Sequence, residues 1–180
     1  PNSVFHYAVT ALWILTVINA MNFMDNMNGL CAGLGAIAAA AFAFASARHG
    51  QQAEVVFSLA VCGALIGFLP FNYPRARAFL GDAGSHLTGY CLAVLAILPQ
   101  FHTASDPRPL AVLKPLLILA VPLLDMAWVV WLRTRAGKPF YIGDTNHLSH
   151  RLERRGWSRP VAVLWIWIIA ATAAALAVAL

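Results

Sequence analysis

Five amide and acid side chains crowd one short stretch of this sequence. Asn19, Asn22, Asp25, Asn26 and Asn28 lie within ten positions and are followed by Gly29. Asn22, Asp25 and Gly29 are spaced i, i+3, i+7, which on a continuous helix aligns them on one face. Such side chains offer hard oxygens, the donors that Mg²⁺ takes. The same residues also cap helices and make turns, so capping alone is the competing reading.

A second cluster is Phe79-Leu80-Gly81-Asp82-Ala83-Gly84-Ser85. Its two glycines permit close approach of the backbone to a ligand. Ser85 is placed to cap a following helix, and a helix start with free N–H groups attracts phosphate. An aspartate there repels phosphate unless a metal bridges them. Arg75 and Arg77, just upstream, could assist. The bland alternative is a capped turn between helices.

A third cluster runs from Gly143 to Gly156 and contains Asp144, His147, His150, Arg151 and Arg154. If it is helical, His147, His150, Arg151 and Arg154 share a face. Two imidazoles among cations suit diphosphate binding and stabilisation of charge developing in a transition state. A basic segment drawn to anionic lipid would explain the arginines but not the paired histidines. Asp125 stands alone inside an apolar run, where an ionisable group is costly and points either to function or to pairing with a cation. Together these residues fit Mg²⁺-assisted handling of a phosphate or diphosphate.

The elements that must position them are transmembrane. Of the 180 residues, 61% are hydrophobic and 11% charged, against about 25% charged in an ordinary soluble domain. A soluble domain, a disordered chain and a nucleic-acid binder are excluded on that ground. Three cysteines, Cys31, Cys62 and Cys91, sit in apolar runs and form no metal spacing. Six apolar stretches approach the length of about 20 residues that a span needs: Val4 to Met24, Leu30 to Ala47, Val55 to Phe71, His86 to Pro99, Leu110 to Leu132 and Pro160 to Leu180. The expected fold is therefore an all-α polytopic membrane protein forming one transmembrane domain over residues 1–180.

Alternation of six spans puts Arg75, Arg77, Arg133, Arg135, Lys138, Arg151, Arg154, Arg155 and Arg159 on one side, nine of the twelve cations. That side is expected to be cytoplasmic, since loops rich in Lys and Arg stay there. All three polar clusters fall on it. A lipid phase on one side of the site and phosphate on the other suggests phosphoryl transfer to a lipid phosphate or alcohol.

These segments resemble the polyprenyl-phosphate N-acetylhexosamine-1-phosphate transferases, grouped as glycosyltransferase family 4. Asn22-Phe-Met-Asp25-Asn-Met-Asn28-Gly29 looks like the family's N-x-x-D-G-x-D-G segment. Phe71-Asn72, Pro74 and Phe79-Leu-Gly81-Asp82-Ala-Gly84-Ser85 look like its F-N-x-x-P…F-x-G-D-x-G-S segment. Asp144-Thr-Asn-His147-Leu-Ser-His150-Arg151-Leu152 looks like its histidine motif, and Pro122 with Asp125 fits its fifth-span pattern.

The resemblance implies attack of a polyprenyl phosphate on the β-phosphorus of a UDP-N-acetylhexosamine, with UMP released, at the start of cell-envelope glycan synthesis. It implies Mg²⁺, with Mn²⁺ as a substitute, held by Asp82 beside Asn22 and Asp25. Asp25, Asp82, His147 and His150 become the expected catalytic set. Asn19, Asn28, Gly81, Ser85, Asp144, Arg151 and Arg154 become the expected substrate contacts. The implied location is the bacterial inner membrane, with a homodimer as a compatible assembly.

Three departures stand out. Asn28 occupies the place of a second aspartate. Ser149 replaces a histidine, which leans away from the muramoyl-pentapeptide branch; N-acetylglucosamine 1-phosphate is the expected group. The family's early acidic pair is missing, so the chain is expected to be the C-terminal part of a ten- or eleven-helix enzyme, inactive by itself. Two other readings compete. A CDP-alcohol phosphatidyltransferase needs several aspartates within about two turns, whereas Asp25 is the only acid before Glu54. A transporter would use Asp125 in its pathway.

Overall fold

The computed structural model describes residues 3–99, 113–139 and 145–180. Among these residues every regular element is helical: α1 (Ser3–Phe23), α2 (Leu30–Arg48), α3 (Gln52–Asn72), α4 (Gly81–Leu95), α5 (Lys114–Ile118), α6 (Ala120–Arg135), α7 (Leu148–Arg154) and α8 (Arg159–Ala179). Four of them, α1, α2, α3 and α8, are long and apolar enough to cross a membrane. The all-α, multi-pass expectation holds, with the spans distributed differently from the six expected.

The fourth expected span is the short helix α4, 15 residues, or roughly 22 Å at 1.5 Å per residue, less than the ~30 Å hydrocarbon core. The fifth is broken. Pro122 has no N–H to offer the Ile118 carbonyl, and the run divides at Leu119 into α5 and α6. Asp125 therefore lies early in a second, separate helix rather than midway along one continuous span.

Helix α2 is the hub. It is rich in alanine and glycine and most of its surface is buried, against α3 on one side and α8 and α4 on others. A helix apolar on every face belongs in the interior. Its small residues let neighbours come close: a side chain at Gly33 would collide with Trp167 of α8, and one at Gly35 with Leu65 and Thr88. Helix α1 packs along α4, where Gly89 meets the backbone of Ile18. The outward faces of α1, α3 and α8 keep Val4, Phe5, Leu12, Val56, Ile66, Ile168 and Leu176 exposed, as lipid-facing or protein-covered apolar surface requires.

Candidate phosphoryl-transfer site at one end of the bundle

The polar clusters meet where α1 ends, α2 begins, α3 ends and α4 begins. Helix α1 stops at Phe23, and residues 24–29 run on as turns. Asn22, Asp25 and Gly29 thus do not share a helical face as their spacing suggested; the turn separates their tasks. Gly29 takes a left-handed conformation with φ 79°, which favours glycine. Its N–H donates to Asn72 Oδ1 at 2.6 Å, and Asn72 Nδ2 donates to the Ala78 carbonyl at 2.8 Å. A Cβ at Gly29 would sit 2.7 Å from Tyr73 Cβ. Asn72 is buried and staples the start of α2 to the end of α3.

Asn22, in the last turn of α1, reaches across to α4. Its Nδ2 donates to Asp82 Oδ1 at 3.0 Å and to Ser85 Oγ at 3.0 Å. Ser85 is not a cap. Helix α4 already begins at Gly81, and the buried Ser85 hydroxyl instead donates back to the Asp82 carbonyl at 3.3 Å. Asp25 accepts a hydrogen bond from the Gly81 N–H, capping α4 from another element. Burial, aided by the charge of Asp82 and opposed by the Gly81 hydrogen bond, raises the Asp25 carboxyl to about 6. Two carboxylates that repel one another and that an amide already orients are a donor set of hard oxygens. Among the described residues no group of three His, Cys, Asp or Glu side chains surrounds a common point. Two carboxylates fit Mg²⁺ rather than an all-protein cage, because Mg²⁺ keeps waters and phosphate oxygens in its shell.

The histidine segment forms α7, docked against the same end. His147 is the residue before the helix rather than part of it. Its Nδ1 lies 2.7 Å from Asp125 Oδ2, and Asp125 Oδ1 accepts the Leu148 N–H at 2.6 Å. Both side chains are buried. The His147 ring stands edge-on to Phe23, with centroids 5.6 Å apart, and Arg133 covers the same Phe23 ring at 5.1 Å. Asp125 is thus engaged through both oxygens with the start of the histidine segment.

Further contacts hold α7. Ser149 Oγ donates to Asn26 Oδ1 at 2.6 Å. Arg151 lies over Trp128 at 5.4 Å, and Arg154 donates to the Thr145 carbonyl at 2.6 Å. Glu153 bridges His150 Nδ1, 3.3 Å away, and Arg159 Nε, 2.7 Å away. Those two partners hold its carboxyl below the usual range. Tyr73 donates to the Pro160 carbonyl at 3.0 Å, tying α8 to the end of α3.

The expected residues therefore divide. Asn22, Asp25, Gly81, Asp82 and Ser85 form one connected group. His147 and His150, with ring centroids 6.4 Å apart, form a second group, which meets the end of α1 where His147 packs on Phe23. Asn28 donates to the Pro74 carbonyl at 3.3 Å and lines a cavity of about 220 Å³ with Asn26, Met27, Pro74, Arg159 and Pro160. Asn19 does not join: it turns back onto the Leu15 carbonyl at 2.7 Å within its own helix. Arg151 and Arg154 are engaged with Trp128 and Thr145, so their nearest partners are structural. Asp144 lies outside the described residues. Asn72 and Asn26 were not among the expected site residues, and the pairing of Asp125 with His147 was not foreseen. Asn72 had a signal, its place in the Phe-Asn-x-Pro segment; the others bond across 22 and 123 positions.

The profile described as glycosyl transferase family 4 matches residues 1–100. A Bacillus subtilis protein named probable undecaprenyl-phosphate N-acetylglucosaminyl 1-phosphate transferase is 32% identical, over 91% of this chain and 45% of its own length. A decaprenyl-phosphate N-acetylglucosaminephosphotransferase of Mycobacterium tuberculosis is 37% identical, over 89% of this chain and 44% of its own. The undecaprenyl-phosphate alpha-N-acetylglucosaminyl 1-phosphate transferase of Escherichia coli is 30% identical, over 97% and 48%. The chain spans about half the length of the curated relatives it matches.

Proposed function

The chain belongs to glycosyl transferase family 4, and from that premise we propose that the protein carrying it transfers N-acetylhexosamine 1-phosphate, N-acetylglucosamine 1-phosphate first among candidates, from a UDP-sugar to a polyprenyl phosphate. A phosphate oxygen of the lipid would attack the β-phosphorus. The bond from that phosphorus to the α–β bridging oxygen would break, and UMP would leave. The donor sugar, the bacterial inner membrane, the cytoplasmic face and a homodimer belong to this proposal.

One observation carries it: Asn22 ties the last turn of α1 to Asp82 and Ser85 of α4 at 3.0 Å, with Asp25 on the Gly81 N–H. Asn22 and Asp82, 60 positions apart, join the end of α1 to the start of α4, so that Asp25 and Asp82 form one acidic pair. Asp82 and Asp25, with the Asn22 amide oxygen, would hold Mg²⁺. The ion would supply charge neutralisation for the diphosphate. The protein's own share is positioning. Asn22 orients Asp82, the α4 start offers N–H groups to phosphate, and His147 and His150 bring imidazoles to the charge that builds on the transferring phosphoryl group.

The test uses membranes carrying the full protein, labelled UDP-N-acetylglucosamine, undecaprenyl phosphate and Mg²⁺. Label should enter lipid with release of UMP and stop with EDTA. Asp82→Asn should lower transfer at least ~100-fold, the scale of a lost charge-stabilising group, while the protein stays folded. A well-folded Asp82→Asn protein with a normal Mg²⁺ response would overturn the metal assignment. Silence with every UDP-sugar offered would overturn the reaction.

A further inference from the structure

We propose that Asp125 is a positioning residue for His147: it fixes the imidazole as the tautomer protonated on Nδ1 and leaves Nε2 to face substrate. The inference rests on the transferase reading for what His147 does, and on geometry alone for how the ring is held.

Asp125 uses both oxygens. Oδ2 meets His147 Nδ1 at 2.7 Å, and Oδ1 takes the Leu148 N–H at 2.6 Å. The first N–H groups of a helix have no partner within it, so Asp125 supplies from α6 the cap that α7 lacks among its own side chains. The pair is almost wholly enclosed, with side-chain exposures of 7% for His147 and 3% for Asp125. In that setting a carboxylate only accepts, and the ring proton is drawn to Nδ1. The ring plane is set as well, since Phe23 stands at 88° to it.

The rest of α7 does not depend on this contact. Seven residues cannot form a stable helix alone, but Ser149–Asn26, Arg151–Trp128 and Glu153–Arg159 hold α7 at separate points. Asp125 is thus not needed merely to dock the segment. Its distinct contribution is the state of the ring. Asparagine at this position keeps an oxygen for the Leu148 N–H and turns an NH₂ group towards Nδ1. That donor forces the ring proton to Nε2 and removes the free acceptor, with almost no change in shape.

The decisive measurement is the ¹⁵N spectrum of the His147 ring nitrogens in the full protein in lipid. Wild type should show Nδ1 protonated and Nε2 bare; Asp125→Asn should show the reverse. Wild type with the proton on Nε2 would overturn the proposal, whether or not any variant folds. Kinetics supply the second readout. Asp125→Asn should lower kcat by up to about 10⁴-fold, the scale for a histidine locked in the wrong tautomer, with KM for the UDP-sugar changed less than about threefold. The Asp125→Asn, His147→Ala double variant should be no slower than His147→Ala alone, because residues acting as a unit are not additive. Multiplying losses would show that Asp125 acts elsewhere and would overturn it. If wild type transfers no sugar phosphate, the transferase reading fails while the spectrum still decides how the ring is held.

Discussion

Asp25 carries an electrostatic load that a purely structural residue would shed. Its carboxyl is raised to about 6 from 3.8, mainly by burial and further by the charge of Asp82. A raised folded value means that folding favours the protonated acid. The stability it contributes is complete below the unfolded value near 4 and is lost as pH rises through about 6. At pH 7.5 in chelator the ionised form is therefore a burden. Asp25→Asn should raise thermal stability there by about 1 kcal/mol, after discounting for solvent screening at this half-buried position. It should also abolish transfer. The gain should vanish at pH 4, and a thermal-unfolding series in detergent across that range checks it. A variant less stable than wild type at pH 7.5 would show that the carboxylate is structurally needed.

Two departures from the family's motifs also meet at this scale. Asn26 stands where the first segment has its first glycine, and Ser149 where many members have histidine; Ser149 Oγ donates to Asn26 Oδ1 at 2.6 Å. Each departure gives the other a partner. Ser149→Ala should cost about 1 kcal/mol of stability. Asn26→Gly combined with it should cost less than the sum of the two single changes, because the bond is lost only once. Additive unfolding shifts would show that the pair is not coupled.

Between elements, the site depends on how closely α1 approaches α4. The approach is set at Gly89, where an added Cβ would lie 2.6 Å from Ile18 Cα. Backbone cannot yield as a flexible side chain can, so Gly89→Val should force the two helices apart. The expected cost is about 1–3 kcal/mol, as for other overpacked sites. Transfer should fall further than stability alone explains, since the same helix pair carries Asn22 and Asp82. Gly63→Val is the control: a side chain at Gly63 meets open space and should leave both readouts near wild type. Equal damage at the two positions would mean that helix spacing is not what Gly89 protects.

The same scale separates what was legible in sequence from what was not. Spans α1, α2, α3 and α8 could be read from uninterrupted apolar runs, and their ends fall within a few residues of the expectation. The fifth run misled, because hydropathy cannot register the carbonyl that Pro122 leaves without a donor. The Asn22–Asp82–Ser85 group could be read in membership but not in wiring. Its spacing described a helical face, while the chain turns at Met24. Asp125 was conspicuous in sequence, yet its role was not, because its partner His147 lies 22 positions further on, just before α7.

For the whole molecule, the remaining question is which way it sits in the bilayer. The end that holds the site carries Arg75, Arg77, Arg133, Arg135, Lys138, Arg151, Arg154, Arg155 and Arg159 among the described residues. The opposite end carries Arg48, bonded to the Val178 carbonyl at 2.8 Å, and Glu54 in the first turn of α3. Cationic loops resist translocation, so the site end should face the cytoplasm, where nucleotide sugars are made. Single cysteines test this. Ser158 at the site end and Gln52 at the other are both exposed. Cys31 and Cys62 are buried, and Cys91, partly accessible, is replaced by serine in the background. A maleimide that cannot cross membranes should label Gln52→Cys on spheroplasts and should reach Ser158→Cys only after the membrane is opened. The reverse pattern would put the acidic pair on the outer face. The donor could then not be a cytoplasmic UDP-sugar, and the proposed reaction would fall with the orientation.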